Sequence, residues 1–530
     1  MISRISPDAL KAAIRDGQEL AILDVREQGS YGRRHLFWAA NMPLSRLELD
    51  APAMLPRKTA RIVLCDGGEG LAQRAADRLA LWGYSAVSVL EGGTEAWAAA
   101  GYELFSGVYV PSKAFGEFVE HEYHTPSLSA DELKSLTESG EKLVILDSRP
   151  MDEYAAMNIP GGINVPGAEL ALRVHDLAPD PDTTVVVNCA GRTRSIIGAQ
   201  SLINAGIPNK VVALRNGTMG WHLAGHTLER GQMRRYDDTS KAGLAAAKRH
   251  TAEVAARFGV KSIDRAGVDR FREVAGERSL YLLDVRDPTE FETGRVPGSH
   301  PAPGGQLVQS TDAYVPTRHA RIVLIDDNGV RATMTASWLA QMGWNDVYVY
   351  ENALISEVLE TAHYGRPVIW PDDMQIKSVT PNALKMMLEA EDAVVVDLAR
   401  SLYHRDHGHI PGAWFAIRAH LAEAIQKLPP ARRYVVTSED GRLARLAAPE
   451  LAALTKAEIC VLKGGTDTWR ADGLPTEKGL INTATEVDDV YLRPYDREQG
   501  IEQAMNEYLS WEIELVRQIE RDGDATFIKF

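Results

Sequence analysis

The sequence predicts an α/β protein of four tandem units, each a central, mainly parallel sheet with helices on both faces. Three observations predict it. A β-rich run ending in aspartate recurs four times: LAILD to Asp24, LVILD to Asp147, LYLLD to Asp284 and VVVD to Asp397. A second apolar strand follows each at a spacing of 41 or 42 residues, ending at Cys65, Cys189, Ile325 and Ser438. Helical patterns alternate with these runs, and strands that alternate with helices in this way pair in parallel and are buried on both faces. Self-similarity at one period sets the architecture before any single element is read.

The units run 1–104, 126–229, 259–370 and 376–476. Within each, the first strand is followed by a turn: HLFWA from His35, NIPGG from Asn158, RVPGS from Arg295 and HIPGA from His409. The second strand leads into a helix. A third strand then meets a glycine turn: EGGTEAW from Glu91, RNGTMGW from Arg215 and KGGTDTW from Lys463. The third unit carries YENALI from Tyr350 and has lost this motif. The stretch VPSKAFGEFVEHEYHTP reads as an aromatic-rich connector, and 241–258 as a polar, Ala-rich helix. The tail, 482–530, carries a helix in which Met505, Leu509, Ile513 and Val516 recur at helical spacing. Its apolar stripe is expected to dock on a domain or on a second subunit of a homodimer, because its other face is acidic and of the wrong sign for anionic lipid. The second unit, about 126–230, is expected to fold alone.

Composition bounds the function. Hydrophobic residues make up 45% and charged residues 25% of 530, the balance of ordinary globular domains. A formal net charge of −15 argues against a nucleic-acid or anionic-membrane partner, though not against a local anion pocket. Three cysteines, Cys65, Cys189 and Cys460, form no disulfide framework and fit a reducing compartment. The opening MISRISPDALKAAI has no apolar signal region and no run reaches membrane-span length, so a cytoplasmic protein is expected.

The chemistry concentrates in CAGRTRS, Cys189 to Ser195. It follows the apolar Val185–Val187 and precedes a helical pattern from Ile196 to Ala205. A strand therefore delivers Cys189 onto a short loop that becomes a helix N-terminus. The amides of Ala190, Gly191, Arg192, Thr193, Arg194 and Ser195, with the helix dipole, favour an anion there. Arg192 and Arg194 add positive charge, which is expected to lower the thiol pKa, make a nucleophile, and bind an anionic substrate and its leaving oxyanion. Ser195 is expected either to donate a hydrogen bond to the sulfur anion or to cap the helix.

The other units lack this set. Cys65 stands in the acidic CDGGEG, the third unit has IDDNGVR without a nucleophile, and the fourth has Ser438 in SEDGR. All three read as inactive. Cys460, on a strand, reads as core. Asp147 and Arg149 recur as D-x-R in the first three units and read as scaffold, with Arg149 and Glu153 spaced for an ion pair. Trp97, Trp221 and Trp469 read as scaffold too. His404, His407 and His409, like His121 and His124, lack the carboxylate or cysteine partners of a metal site. Neither metal nor cofactor is expected.

The combination D-x-R, HIPGA-like turn, strand–C-x4-R-S–helix and GGT-x-x-W resembles a rhodanese domain. All four units share it, and Asp147, Arg149, Glu153, Asn158 to Gly162, CAGRTRS and GTMGW in the second match best. The loop departs from the family in one respect: its glycine, Gly191, stands two rather than three residues after the cysteine. The resemblance implies four tandem rhodanese-like domains and thiosulfate sulfurtransferase chemistry, with a persulfide on Cys189. A small anionic donor such as thiosulfate, a cyanide or thiol acceptor, and a sulfur-relay protein are the partners it implies. Two rivals stand beside it. A non-catalytic scaffold or protein-to-protein sulfur carrier fits the three inactive units. A cysteine phosphatase or arsenate reductase needs five residues between Cys and Arg, whereas four intervene here.

Overall fold

The computed structural model describes residues 2–371 and 376–530. Four sheets recur in one strand order. In the second unit this order is Ser127–Leu128, Val211–Leu214, Thr184–Asn188, Leu143–Asp147 and Ile163–Asn164, all parallel. The central strand carries Val185, Val186 and Val187, none exposed to solvent, because helices cover both faces. Each unit opens with a helix whose N-cap side chain takes the amide three residues on: Ser6, Ser129, Asp264 and Thr380. Ser129 forms a full capping box with Glu132.

The D-x-R motif is a buried corner. Arg149 Nε and Nη2 donate to Asp147 at 2.8 and 2.6 Å, and Nη2 also donates to the Met157 carbonyl at 2.6 Å. Asp24–Arg26 and Asp284–Arg286 repeat this geometry. In the fourth unit His404 Nδ1 lies 2.8 Å from Asp397 and takes the arginine's place. It stacks on His409, so both histidines belong to the scaffold. The three tryptophans each donate Nε1 to a carbonyl six residues on, at Glu103, Thr227 and Pro475. Asn216 and Asn352 supply in the second and third units the positive φ that Gly92 and Gly464 supply in the first and fourth. Cys460 is buried on the strand Glu458–Leu462.

The sheets are separate but the packing between them is shared. Thr317–Arg318 of the third unit pairs antiparallel with Leu20 and Ala21 of the first. Arg331 of the third unit reaches Glu169 of the second at 2.6 Å. Arg418 of the fourth pairs with Glu48 of the first at 2.7 Å. Ile196 and Ile197 of the second unit pack in one cluster with Leu307 and Trp338 of the third. Residues 126–230 taken alone would expose this face.

Two segments outside the repeats are integral. The connector is a helix, Val110–Tyr123, buried along most of its length. The tail helix, Ile501–Asp522, packs against it. Its buried stripe is Met505, Leu509, Glu512, Leu515 and Ile519, so Ile513, expected inward, is half exposed. At 3.6 residues per turn the buried stripe centres on Glu512 and Ile519, and Ile513 falls roughly 100° away from them. The tail docks within its own chain: Leu515 and Ile519 enter the core of the first unit, and Lys11 pairs with Asp522 and Asp524.

Arg331 is 1% exposed in its side chain and holds Glu169, Glu290 and Asp327. Arg331→Ala takes one of two cations from buried Glu169 and also frees the more exposed Glu290 and Asp327, and is expected to destabilise the chain by about 2 kcal/mol, read from chemical denaturation. A change below about 0.5 kcal/mol, the range of ordinary surface substitutions, would show that apolar contacts alone hold these units together.

Candidate active site

The strand Thr184–Asn188 ends one residue before Cys189, and the following helix, Thr193–Asn204, starts four residues after it. The glycine turn clamps the loop from below. Thr218 donates its amide and Oγ1 to the Cys189 carbonyl at 2.9 and 3.0 Å, and the Met219 amide donates to Ala190 at 2.9 Å. A Cβ on Gly217 would lie 2.3 Å from the Cys189 carbonyl oxygen, so this position must be glycine. Among the described residues, the N–H groups of Ala190, Gly191, Arg192, Thr193 and Arg194 have no protein acceptor. They form an open cradle for an anion.

Cys189 is 2% exposed, and its Sγ lies 3.5 Å from Ser195 Oγ. Ser195 Oγ in turn donates to the Arg192 carbonyl at 2.8 Å. Ser195 therefore sits inside the first helical turn and does not cap the helix. The arginines are held differently from expectation. Arg194 is clasped by Glu153 at 2.7 and 3.1 Å. Arg192 pairs with Glu117 at 2.7 Å and also with Glu120, both from the connector helix. Glu153 is thus the partner of Arg194, not of Arg149, which turns back to Asp147.

These pairings set the electrostatics. Burial pushes the Cys189 thiol up, Arg194 and Ser195 oppose this, and Glu512 adds to the rise. The net direction is upward, opposite to the expected lowering, because Arg192 is committed elsewhere and the sulfur is dry. Burial would also raise Glu153, but the Arg194 guanidinium outweighs it and holds the carboxyl at about 2. Burial lifts Glu117 to about 7 despite Arg192.

Strand register decides which residues of the other units correspond to Cys189. Asp147 pairs with Asn188, and in the same register Asp24 pairs with Cys65, Asp284 with Ile325 and Asp397 with Thr437. Cys65 is thus the counterpart of Asn188. The counterparts of Cys189 are Asp66, Asp326 and Ser438. The glycine turn agrees: Thr94, Thr218 and Thr466 donate to the carbonyls of Asp66, Cys189 and Ser438. In the first unit the Asp66 carboxylate accepts from the amides of Gly68 and Ala72. Asp326 accepts from Gly329 and Ala332 in the third. Ser438 Oγ accepts from Ala444 in the fourth. In each of these loops the strand-end side chain takes one or two amides, and the one six residues on, at Ala72, Ala332 or Ala444, corresponds to the Ser195 amide that favours the Cys189 thiolate. Cys65 itself is buried and its thiol is pushed well up by burial and Asp24.

A cleft of about 660 Å³ opens over Cys189. It draws on every unit: Gln28 from the first, Gln306 from the third and Arg400 from the fourth line it with the loop. The connector adds Lys113, whose ammonium lies 4.9 and 5.0 Å from the rings of Tyr508 and Trp511 of the tail helix. Burial lowers Lys113 to about 8. Glu512 of the tail accepts from Thr193 Oγ1 at 3.3 Å. The sequence carried no signal for Lys113, Glu117, Tyr508 or Glu512 beyond their helical spacing. His121 is exposed beside Glu122, away from this cleft.

A family model for rhodanese-like domains matches residues 6–100, 129–224, 268–354 and 380–472. A solved thiosulfate sulfurtransferase from Pseudomonas aeruginosa is 48% identical, with a TM-score of 0.95 and 99% of each chain covered. A putative sulfur carrier protein of Bacillus subtilis is 29% identical over 140 residues, 24% of this chain and 71% of the carrier. An HTH-type transcriptional regulator of Mycobacterium tuberculosis is 35% identical over 105 residues, 20% of this chain. The chain spans 45% of that regulator's length. Among the described residues, no helix is long and apolar enough to cross a membrane.

Arg194→Ala is expected to raise the Cys189 thiol further and shift the pH profile of iodoacetamide alkylation to the alkaline side. Arg194→Lys should restore part of it, since lysine keeps the charge and loses the fork. An unchanged profile in Arg194→Ala would separate this charge from the thiol. The same pair carries a sign for stability. Because Glu153 is depressed on folding, its contribution is present above the ordinary carboxylate range and is lost as pH falls towards about 2. Glu153→Gln should flatten that acid-side loss in a denaturation series.

Proposed function

The chain belongs to the rhodanese-like domain family, with four domains in tandem, and we propose that it transfers sulfane sulfur through Cys189. One observation carries this reading: of the four equivalent loop positions, only this one holds a thiol beneath amides that no side chain has already taken. The likeness to a thiosulfate sulfurtransferase along the whole chain supports thiosulfate as donor.

The reaction has two halves. Cys189 Sγ loses its proton and the thiolate attacks the outer sulfur of thiosulfate. The sulfur–sulfur bond of the donor breaks, sulfite leaves with the electron pair, and a cysteine persulfide remains. The negative charge now sits on the terminal sulfur, one bond further into the cradle of Ala190 to Arg194 amides. Stabilising a charge that forms there is where preorganised donors contribute most. A thiolate or cyanide acceptor then attacks the terminal sulfur, and Cys189 thiolate departs. Arg194, held by Glu153, supports the thiolate by its charge. Arg192 acts through Glu117 and Glu120 to fix the loop against the connector helix. Ser195 steadies the sulfur at 3.5 Å.

The similarity to a putative sulfur carrier favours a second reading, in which a partner protein delivers the sulfur. Turnover with free thiosulfate separates the two. Cys189→Ser is expected to abolish thiosulfate:cyanide turnover and the mass gain of one sulfur atom, while Cys65→Ser keeps both. Cys189→Asp is expected to fold as stably as the parent, since the carboxylate would take the loop amides as Asp66 does, and to carry no sulfur. Near-parental turnover in folded Cys189→Ser would refute the assignment.

A further inference from the structure

The tail helix brings a carboxyl group to the Cys189 loop. Glu512 is 1% exposed. Both hydroxyl donors within reach converge on one of its oxygens: Tyr508 donates to Oε1 at 3.0 Å and Thr193 to the same atom at 3.3 Å. Oε2 has no partner, although it too is buried. It faces the loop: a Cβ on Gly191 would lie 3.3 Å from it. The cleft over Cys189 is lined by the same residue.

The charged and titratable groups around Glu512 explain its state. Lys113 and Glu117 face it from the connector helix, Arg192 from the loop, Tyr508 from its own helix and Tyr491 from the preceding segment. Lys113 is spent on the rings of Tyr508 and Trp511, and Arg192 on Glu117 and Glu120. Neither cation forms an ion pair with Glu512. Burial raises the carboxyl, only partly offset by Lys113. Burial without an ion pair favours the protonated carboxyl over the carboxylate. With Oε1 already accepting twice, the proton belongs on Oε2, where it makes a donor aimed at the loop.

We propose that Glu512 contacts the substrate: its Oε2 hydroxyl donates a hydrogen bond to the sulfur anion bound at the Cys189 loop. This rests on the reading of Cys189 as the sulfur carrier. It explains why a buried oxygen is left without a protein partner, since the partner arrives with the substrate. It also gives a sign. A neutral Glu512 attracts the donor anion, and an ionised one repels it. Donor binding therefore weakens as pH rises through the Glu512 pKa.

The test uses the full-length chain with thiosulfate as donor and cyanide as acceptor, comparing parent, Glu512→Gln and Glu512→Ala. Intact mass after incubation with thiosulfate reports the persulfide independently. Glutamine keeps a neutral donor, so Glu512→Gln is expected to hold KM for thiosulfate within about threefold at neutral pH. Its KM should climb less on the alkaline side than the parent's, the remaining climb belonging to Lys113, which loses its charge near about 8 in the same cleft. Glu512→Ala is expected to raise KM about tenfold or more, the worth of one hydrogen bond to a charged group. If Glu512→Ala fails to fold, the flattening of the KM profile in Glu512→Gln decides alone. Parental KM profiles in both variants overturn the proposal, as does a Glu512→Gln as impaired as Glu512→Ala, which would mean that the carboxylate is needed. These failures differ from that of the underlying reading, in which the parent itself takes up no sulfur and both proposals fall.

Discussion

A loop that turns from a strand end into a helix start leaves its amides without acceptors, and in this protein the residue at the strand end has to answer for them. Asp66 and Asp326 do so with a carboxylate and Ser438 with a hydroxyl. At Cys189 the residue is a thiol, a weak acceptor: the Ser195 amide favours its sulfur, and the amides of Ala190 to Arg194 stay open. Burying unpaired donors is unfavourable, by about 1–3 kcal/mol each where water cannot reach them. The second unit tolerates this beside a cleft, where an anion can take the place that a carboxylate takes elsewhere. The difference between this loop and the other three thus comes down to which acceptor occupies one position.

Holding that loop requires partners from outside its own unit. Arg194 is satisfied locally by Glu153, and Arg331 with Glu290 preserves the same pair in the third unit although its thiol position is Asp326. A buried ion pair of this kind is weak evidence for added stability, since desolvation offsets much of the attraction. Its persistence beside a filled loop fits a role in fixing the helix against the first strand's corner. Arg192, in contrast, is held by Glu117 and Glu120 of the connector, and Thr193 by Glu512 of the tail. The first and fourth units hold the tail and close the cleft. Three units without an open loop are therefore parts of one site's walls, and the interleaved cores explain why they travel together.

Much was legible in the sequence, for physical reasons that can be named. Parallel strands buried on both faces must be continuous and apolar, so LVILD and TVVVN announce themselves. A Cβ on Gly93 or Gly217 would lie 2.3 Å from a carbonyl oxygen, so these turns admit no side chain and GGT and NGT recur. A cysteine among glycine and arginines at a strand–helix junction stands out by composition alone. Counting residues along the chain, however, placed Cys65 level with Cys189. Strand pairing shows the same separation in both units, Asp24 with Cys65 and Asp147 with Asn188, so Cys65 is level with Asn188 and Cys189 stands one residue beyond it.

The sequence by itself determined the number of units, their α/β class, the scaffold role of the D-x-R corners and tryptophans, and the position of the one unusual loop. All of these rest on local periodicity, turn chemistry and residue type, which are properties of short windows. Only the tertiary structure decided the partners of Arg192 and Arg194, the upward direction of the Cys189 thiol, the register of Cys65 and the arrival of Glu512 from more than 300 residues away. Charge pairing and desolvation depend on which distant segments share a dry volume, and no window of the sequence contains that information.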